Sequence, residues 1–167
     1  MDKKEKAEIK KFIVTLLVLG IIFAISRFLF SVNLVSGNSM SDTVNDGGIV
    51  LTNKIINNYE RFDIVLAKVK MANSDIEQIA IKRVIGLPND SVKIENGTIY
   101  VNGNEIEKYN YYTEDGGLYS ETVTLKDNEY FLVGDNRQNS YDSRFYGGVN
   151  KDKIQGKVEY ILYKGGK

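Results

Sequence analysis

The chain lacks histidine and cysteine altogether, and it contains a single proline, Pro88. Without histidine it has no Ser-His-Asp triad, no usual zinc site and none of the commonest acid–base side chain. Without cysteine it forms no disulfide and supports no thiolate chemistry, although many exported domains do without disulfides. If a serine of this chain is a nucleophile, its proton acceptor must therefore be a lysine or a carboxylate.

The 167 residues carry 22 basic and 22 acidic side chains, but the two signs are unevenly distributed along the sequence. Residues 1–31 hold six basic and three acidic groups, and residues 32–167 hold sixteen and nineteen. The longer part thus has a net charge of minus three, whereas nucleic-acid binding requires a basic face. We expect no nucleic-acid partner. The length allows one membrane segment and one domain.

An apolar run near the N-terminus predicts a membrane anchor over residues 12–30, with the sequence FIVTLLVLGIIFAISRFLF. As a helix these residues span roughly 28 Å, about the hydrocarbon thickness of a bilayer. The preceding segment is rich in lysine, which by the positive-inside rule keeps the N-terminus in the cytoplasm. The predicted organisation is a cytoplasmic basic tail at 1–11, the anchor at 12–30 and an extracytoplasmic domain at 31–167.

The apolar run has two alternative interpretations. A cleaved signal peptide is one, because the purely apolar part, 12–25, is short, but no small-x-small cleavage site follows it. A buried core helix is the other, and the lysine-rich flank is not what such a helix needs.

Beyond residue 31, short alternating segments bounded by turn residues predict strands. These segments are 48–53, 63–70, 77–86, 91–95, 98–101, 121–125, 129–133 and 156–163. Asn96-Gly97 and Asn102-Gly103 predict hairpin turns, since both residue types tolerate a positive φ. Residues 109–119 are predicted to form a loop or hairpin excursion. No segment keeps a 3.6-residue period, so the domain is predicted to be mostly antiparallel β.

Ser39 follows the apolar span by a few residues and is a candidate nucleophile. The preceding Gly37-Asn38 can bring the backbone close to a reacting carbonyl, as an oxyanion hole requires. Taken alone, however, Ser39 also fits a turn serine beside a glycine.

Lys82 is the best placed candidate base. On the predicted strand 77–86 it shares a face with Ala80 and Val84, whereas Arg83 points to the opposite side. Burial would have to lower the lysine pKa by about three units, worth roughly 4 kcal/mol, for the amine to be neutral. Taken alone, the strand position of Lys82 favours an exposed lysine on an edge strand.

A polar segment, 134–147, follows an apolar strand, and loops that end core strands often carry sites. In it, Ser140 is able to hydrogen-bond a neutral lysine amine, and Asp142 and Arg144 are able to form an ion pair. A satisfied polar turn is the alternative. A calcium loop fits less well, because the carboxylates do not follow EF-hand spacing.

Together these segments resemble the bacterial type I signal peptidases, over the anchor and most of the domain. Residues 36–40 resemble the family's serine box with Ser39 at the nucleophile position, and residues 61–65 resemble the following core-strand box. Residues 82–90 resemble the lysine box, with Lys82 as general base. Gly134-Asp135-Asn136, followed by Ser140, Asp142, Ser143 and Arg144, resembles the last box.

The resemblance implies an N-terminal transmembrane helix followed by an antiparallel β-sheet catalytic domain of the signal-peptidase/LexA-like type. It implies a serine endopeptidase at the cell membrane that removes signal peptides from preproteins, cutting after small residues of the Ala-x-Ala type. Ser140 would orient the Lys82 amine, and Asp142, Arg144 and Arg83 would hold the surrounding strands. Preproteins and the lipid bilayer are the implied partners, and we expect a monomer with no metal or cofactor.

Two positions depart from family patterns. Asp42 stands where the family usually has proline, and Gly37 stands where Gram-negative members carry a hydroxyl-bearing residue. Gly37 is typical of the Gram-positive members, in which the oxyanion rests on backbone N–H groups, that of Ser39 first. The alternatives are a self-cleaving repressor peptidase, which would need a DNA-binding module, and a weak or inactive relative that assists pilin assembly. General secretory and dedicated substrates are not distinguished.

Overall fold

The computed structural model describes residues 2–70, 76–108 and 122–166, except for the side chains of Glu107 and Lys108. The predicted excursion at 109–119 and the first residue of the predicted strand 121–125 lie outside these ranges. The described chain forms one long N-terminal helix, two antiparallel sheets and one short helix.

The first helix, α1, covers Lys3–Leu29, and the second, α2, covers Ser143–Tyr146. The strands are β1 Phe30–Leu34, β2 Ile49–Asn53, β3 Ile64–Lys70, β4 Glu77–Gly86, β5 Ser91–Glu95, β6 Thr98–Val101, β7 Asn104–Lys108, β8 Val123–Thr124, β9 Glu129–Val133, β10 Val149–Asn150 and β11 Ile154–Tyr163. Four of the eight predicted strands match these bounds at both ends, and the other four differ by one or two residues at one or both ends. The short strands β1, β7 and β10 were not predicted.

Helix α1 is long and apolar enough to cross a membrane, and none of its residues is buried against the domain. It includes most of the basic flank that precedes the apolar run. It ends at Leu29 because Phe30 already pairs with Asn53 of β2. The amine of Lys54 donates to the Arg27 carbonyl at 2.5 Å, and its backbone N–H donates to Leu29 at 2.8 Å. The helix thus passes into the sheet without a linker.

The larger sheet has seven strands in the order β1-β2-β11-β3-β4-β9-β10, and every pairing in it is antiparallel. The prediction of an apolar helix followed by a mostly antiparallel β domain is therefore confirmed. Register shifts interrupt the pairing of β11 with both neighbours and of β4 with β9. Such irregularities increase local twist and let a sheet curl.

The smaller sheet has four strands in the order β7-β6-β5-β8. Its two hairpins turn at Asn96-Gly97 and Asn102-Gly103, where all four residues have φ between 50° and 79°. The predicted Asn-Gly turns are confirmed, and positive φ at both positions is what a two-residue hairpin requires. One face of this sheet packs on the end of β4 and on β9 through a buried apolar cluster that includes Ile85, Ile99 and Phe131.

Strand β4 has two different halves. It pairs with β3 from Glu77 to Arg83, but it pairs with β9 only from Arg83 onward. Within the described residues, one edge of Gln78–Lys82 is therefore left without a neighbouring strand. That open edge borders a cleft, described below.

Candidate active site

A cleft of about 820 Å³ is lined by β1, by the loop that follows it, by the first half of β4 and by residues 138–141. Ser39, Lys82 and Ser140 all contribute to its wall. These residues lie far apart in the sequence, and the fold brings them to one cavity.

The amine of Lys82 is buried at the bottom of this cleft. The residue is 2% exposed, and Nζ donates a hydrogen bond to Ser140 Oγ at 3.0 Å. Val84 and Ala80, on the same face of β4, pack in an apolar cluster with Val65. Burial lowers the pKa of Lys82 to about 8; Asp142 and Asp135 raise it, and Arg144 lowers it. A large fraction of the amine is therefore neutral at mildly alkaline pH.

Ser39 begins a turn that is held in place by the buried side chain of the next residue, Met40. Met40 is fully buried in an apolar cluster with Leu66 and Ile81, so the Ser39 side is held at the cleft. Thr43 and Val44 donate their N–H groups to the Met40 carbonyl at 2.8 and 2.7 Å, which closes a helical turn. The turn after the candidate nucleophile is thus hydrogen-bonded without a proline.

Asp42, which replaces the usual proline, is exposed on the far side of this turn. It lines a separate pocket with Thr43 and Arg83 and does not line the cleft that contains Ser39. The departure from the family pattern therefore lies outside the cleft.

Ser39 and Ser140 both pack closely against Gly134. A methyl group placed on Gly134 would lie 2.2 Å from Ser140 Oγ and 2.6 Å from the Ser39 carbonyl oxygen. Only glycine therefore lets the two serines approach here. The amine of Lys82 donates to Ser140, and within the described residues no hydrogen bond joins it to Ser39.

The backbone N–H of Gly37 is bound within the loop and is not a free donor in the cleft. Gly37 adopts φ +91°, and its N–H donates to Asp46 Oδ1 at 2.8 Å. The N–H of Gly37 is thus already engaged, whereas within the described residues the N–H of Ser39 has no hydrogen-bond acceptor. Gly37 shapes the loop that precedes Ser39, and the Ser39 N–H is the one left available.

Arg83 is directed away from Lys82 and forms a half-buried ion pair with Asp135. Its Nε and Nη2 lie 2.8 and 2.5 Å from the two carboxylate oxygens, and the hydroxyl of Thr43 donates to the same carboxylate. Burial alone would raise the pKa of Asp135, but the hydrogen bonds from Arg83 and Thr43 outweigh it and hold the pKa below its usual value. The pair ties β4 to the turn after Ser39.

Asp142 and Arg144 form a second, fully paired charge cluster. Arg144 Nε and Nη2 donate to the two Asp142 oxygens at 2.8 and 2.9 Å, and Asp142 is 0% exposed. Asp142 also accepts the Gly134 N–H at 3.0 Å, and Arg144 donates to the Ser140 carbonyl at 3.2 Å. The pair therefore fixes the backbone on both sides of the Ser140 hydroxyl.

Sequence reasoning identified most of these groups but missed several of their partners. The last motif contains Asp135 and Asn136 but does not show what they bind, and the sequence assigns no partner to Arg83. A half-buried arginine favours a nearby acceptor, and this preference could have identified Asp135. Thr43 and Asp46 carried no signal in the sequence. Within the described part of the chain, no group of three potential metal ligands lies close together.

Comparison with known proteins gives the family. Residues 8–163 match the model of the family described as signal peptidase, peptidase S26. The chain therefore belongs to this family of peptidases, as the sequence motifs predicted.

Three named relatives illustrate the similarity. Signal peptidase I S of Bacillus subtilis strain 168 is 33% identical over 96% of this chain and 91% of its own length. Signal peptidase I P of Bacillus subtilis subsp. natto is 35% identical over 88% and 85%, and signal peptidase IB of Staphylococcus aureus strain COL is 31% identical over 95% and 91%. A crystal structure of a signal peptidase I from Enterococcus faecalis V583 covers 60% of this chain and 96% of that chain, with TM-score 0.48 and 28% identity.

The Asp142–Arg144 pair gives a stability prediction. Asp142→Ala leaves a buried guanidinium without its counter-ion and the Gly134 N–H without its acceptor, so the free energy of unfolding should fall by about 3–5 kcal/mol. Thermal or urea unfolding in detergent, followed by circular dichroism, measures the loss. The double variant Asp142→Ala with Arg144→Met removes both charges and should recover part of it. Equal stability of wild type and Asp142→Ala would contradict this account.

Proposed function

We propose that the protein is a membrane-anchored serine endopeptidase that removes signal peptides from exported preproteins, with Ser39 as nucleophile and Lys82 as general base. The observation that carries the proposal is the buried Lys82 amine, 2% exposed and hydrogen-bonded to Ser140, in a cleft that Ser39 also lines. In a chain without histidine, no other type of group in this cleft combines burial with a pKa near neutrality.

In the proposed reaction the neutral Lys82 amine takes the proton of the Ser39 hydroxyl as Ser39 Oγ attacks the scissile carbonyl carbon. The tetrahedral intermediate collapses, and the new N-terminus of the mature protein leaves with the proton that Lys82 held. Lys82 then takes a proton from a water molecule that attacks the acyl-enzyme ester. When the ester C–O bond breaks, Lys82 returns this proton to the Ser39 oxygen, so the free hydroxyl and the neutral amine are regenerated. Ser140, Asp142 and Arg144 keep the amine directed into the cleft.

The proton transfer requires the Ser39 hydroxyl to come within reach of the amine in the substrate complex. Catalytic hydrogen bonds are often long or absent without substrate and shorten when it binds. A bound peptide also removes water from the cleft, which disfavours the ammonium form further. The Ser39 N–H is the proposed donor to the oxyanion, because the Gly37 N–H is held by Asp46.

Two open strand edges support binding of an extended peptide. Strand β1 pairs only with β2, and Gln78–Lys82 of β4 pairs only with β3 within the described residues. Both segments line the cleft, so a peptide in extended form would add its backbone to these edges and place alternate side chains in the cleft. Cleavage after small residues is the specificity that the family resemblance implies.

The apolar helix α1 supports attachment to a membrane. The helix passes into β1 without a linker, and β1 itself lines the cleft, so the cleft would lie near the membrane surface. The five lysines of the N-terminal flank favour a cytoplasmic N-terminus and an extracytoplasmic domain. Enzyme and preprotein would then share one membrane, which raises their effective concentration.

Ser39→Ala and Lys82→Ala should each abolish cleavage of a secretory precursor, because one removes the nucleophile and the other removes the base. Cleavage is measured on purified protein in detergent, by the appearance of mature product on a gel and by mass spectrometry. Lys68→Ala, at an exposed lysine on the neighbouring strand β3, is the matched control and should cleave at the wild-type rate.

Unfolding curves close to wild type would show that both inactive variants are folded. Normal turnover by either one would refute the assignment of that residue. A wild-type chain that cleaves no precursor would refute the peptidase itself and favour the pilin-assembly alternative.

The rate of cleavage should rise with pH through a midpoint of about 8, the pKa to which burial lowers Lys82. The sign follows from the base: below this pKa the amine is protonated and unable to accept the Ser39 proton, and above it the amine is neutral. The measurement is kcat/KM against pH with a peptide that has no titratable side chain. A midpoint at the ordinary lysine value of 10.5, or no dependence on pH, would contradict a buried lysine base.

A further inference from the structure

Asn136 makes three hydrogen bonds to the turn that carries Ser39. Its side-chain Nδ2 donates to the Asn38 carbonyl at 3.0 Å and to Ser41 Oγ at 2.9 Å. Its backbone N–H donates to the Ser39 carbonyl at 3.0 Å. These partners are about a hundred residues away in the sequence. The hydrogen bonds therefore connect the segment that follows β9 to the turn that carries Ser39.

The hydrogen bond from Asn136 to the Asn38 carbonyl also determines the direction of the Ser39 N–H. The Asn38 carbonyl and the Ser39 N–H belong to one planar, trans peptide group, in which C=O and N–H point in opposite directions. A carbonyl held on the Asn136 side therefore directs the Ser39 N–H to the other side. A hydrogen bond to the carbonyl also polarises the amide and strengthens its N–H as a donor.

The bond to Ser39 fixes the next peptide group as well. Both peptide planes that flank the Ser39 Cα are thus bonded to Asn136, which at the Asn38 carbonyl adds to the longer bond of 3.2 Å from the Ser41 N–H. The two bonds to Asn136 keep the Ser39 N–H in one direction. That N–H has no acceptor within the described residues, whereas the Gly37 N–H is bound to Asp46. Of the N–H groups of Gly37 and Ser39, that of Ser39 is therefore the one that remains able to bind an oxyanion.

We propose that Asn136 is a positioning residue that aims the Ser39 N–H at the oxyanion of the tetrahedral intermediate. The inference rests on the proposed function of this site. Asn136 does not touch the substrate, and it acts through the Asn38–Ser39 peptide. Because the negative charge develops only in the transition state, the loss of this residue should lower kcat and leave KM unchanged.

The test uses the full chain in detergent with a signal-peptide substrate. In Asn136→Ala, kcat should fall by about ten- to a hundredfold. This loss should not exceed the loss caused by removing an oxyanion-hole donor itself. KM and the pH midpoint should keep their wild-type values, since Lys82 is untouched. A peptide aldehyde, whose adduct with Ser39 carries the same tetrahedral oxygen, should lose affinity by the factor by which kcat falls.

Ser41→Ala is the matched control, because it removes the second acceptor of the same amide group and leaves the Asn38 contact in place. Its kcat should stay within about twofold of wild type. Asn136→Asp keeps the backbone N–H and the side-chain size but presents carboxylate oxygens to the Asn38 carbonyl. It should lose as much kcat as Asn136→Ala, and it serves as the test variant if the alanine variant does not fold.

An unchanged kcat in both Asn136 variants would overturn the inference and leave the proposed function standing. A shifted pH midpoint would show that Asn136 acts through Lys82, and an equal loss in Ser41→Ala would show a general loosening of the turn. Either result would also overturn the inference. A wild-type chain without cleavage or aldehyde adduct would instead overturn the proposed function, and with it this role of Asn136.

Discussion

The burial of one amine is the constraint on which the rest of the site depends. Lys82 lies at the bottom of a cleft between strand edges, where water is nearly excluded and the ammonium form is therefore disfavoured. Without that burial, a lysine on strand β4 would be an ordinary surface cation and unable to accept a proton near neutral pH. The cost of burying it is reduced by the hydrogen bond to Ser140.

The charges around the amine are arranged so that they nearly balance. Asp142 and Asp135 favour the ammonium form and Arg144 opposes it, while each carboxylate is bound to an arginine of its own. A carboxylate left unpaired beside Lys82 would raise its pKa and work against burial. The two ion pairs thus have two roles. They hold the strands and turns of the site in place, and they limit how far the two carboxylates raise the pKa of Lys82.

Much of the fold could be predicted from the sequence because the signals were local. Alternation and Asn-Gly turns located most strands of both sheets, since side-chain period and turn conformation are set by near neighbours. Strand β1, at Phe30–Leu34, was missed because its residues continue the apolar run of the helix, and hydropathy does not show where pairing with β2 begins. Strand β7 was hidden by its polar sequence, NEIEK.

The sequence singled out residues that the structure brings to one cleft, but it did not predict how they are connected. Motif spacing located Ser39, Lys82 and Ser140, yet nothing in the sequence pairs Asp135 with Arg83, Asp46 with the Gly37 N–H, or Asn136 with Asn38. These contacts join segments that only the folded chain brings together. Gly37 illustrates the difference: the sequence places it next to the proposed oxyanion site, but only the structure shows that its N–H is bound to Asp46.

The most direct test of this account is an NMR titration of the Lys82 amine in the full chain in detergent micelles, with isotope-labelled lysine and Lys82→Arg to assign the signal. The account predicts a pKa of about 8 for Lys82, well below the ordinary lysine value of 10.5. A Lys82 signal that titrates near 10.5 would show that burial does not lower the pKa of this amine and would contradict the account.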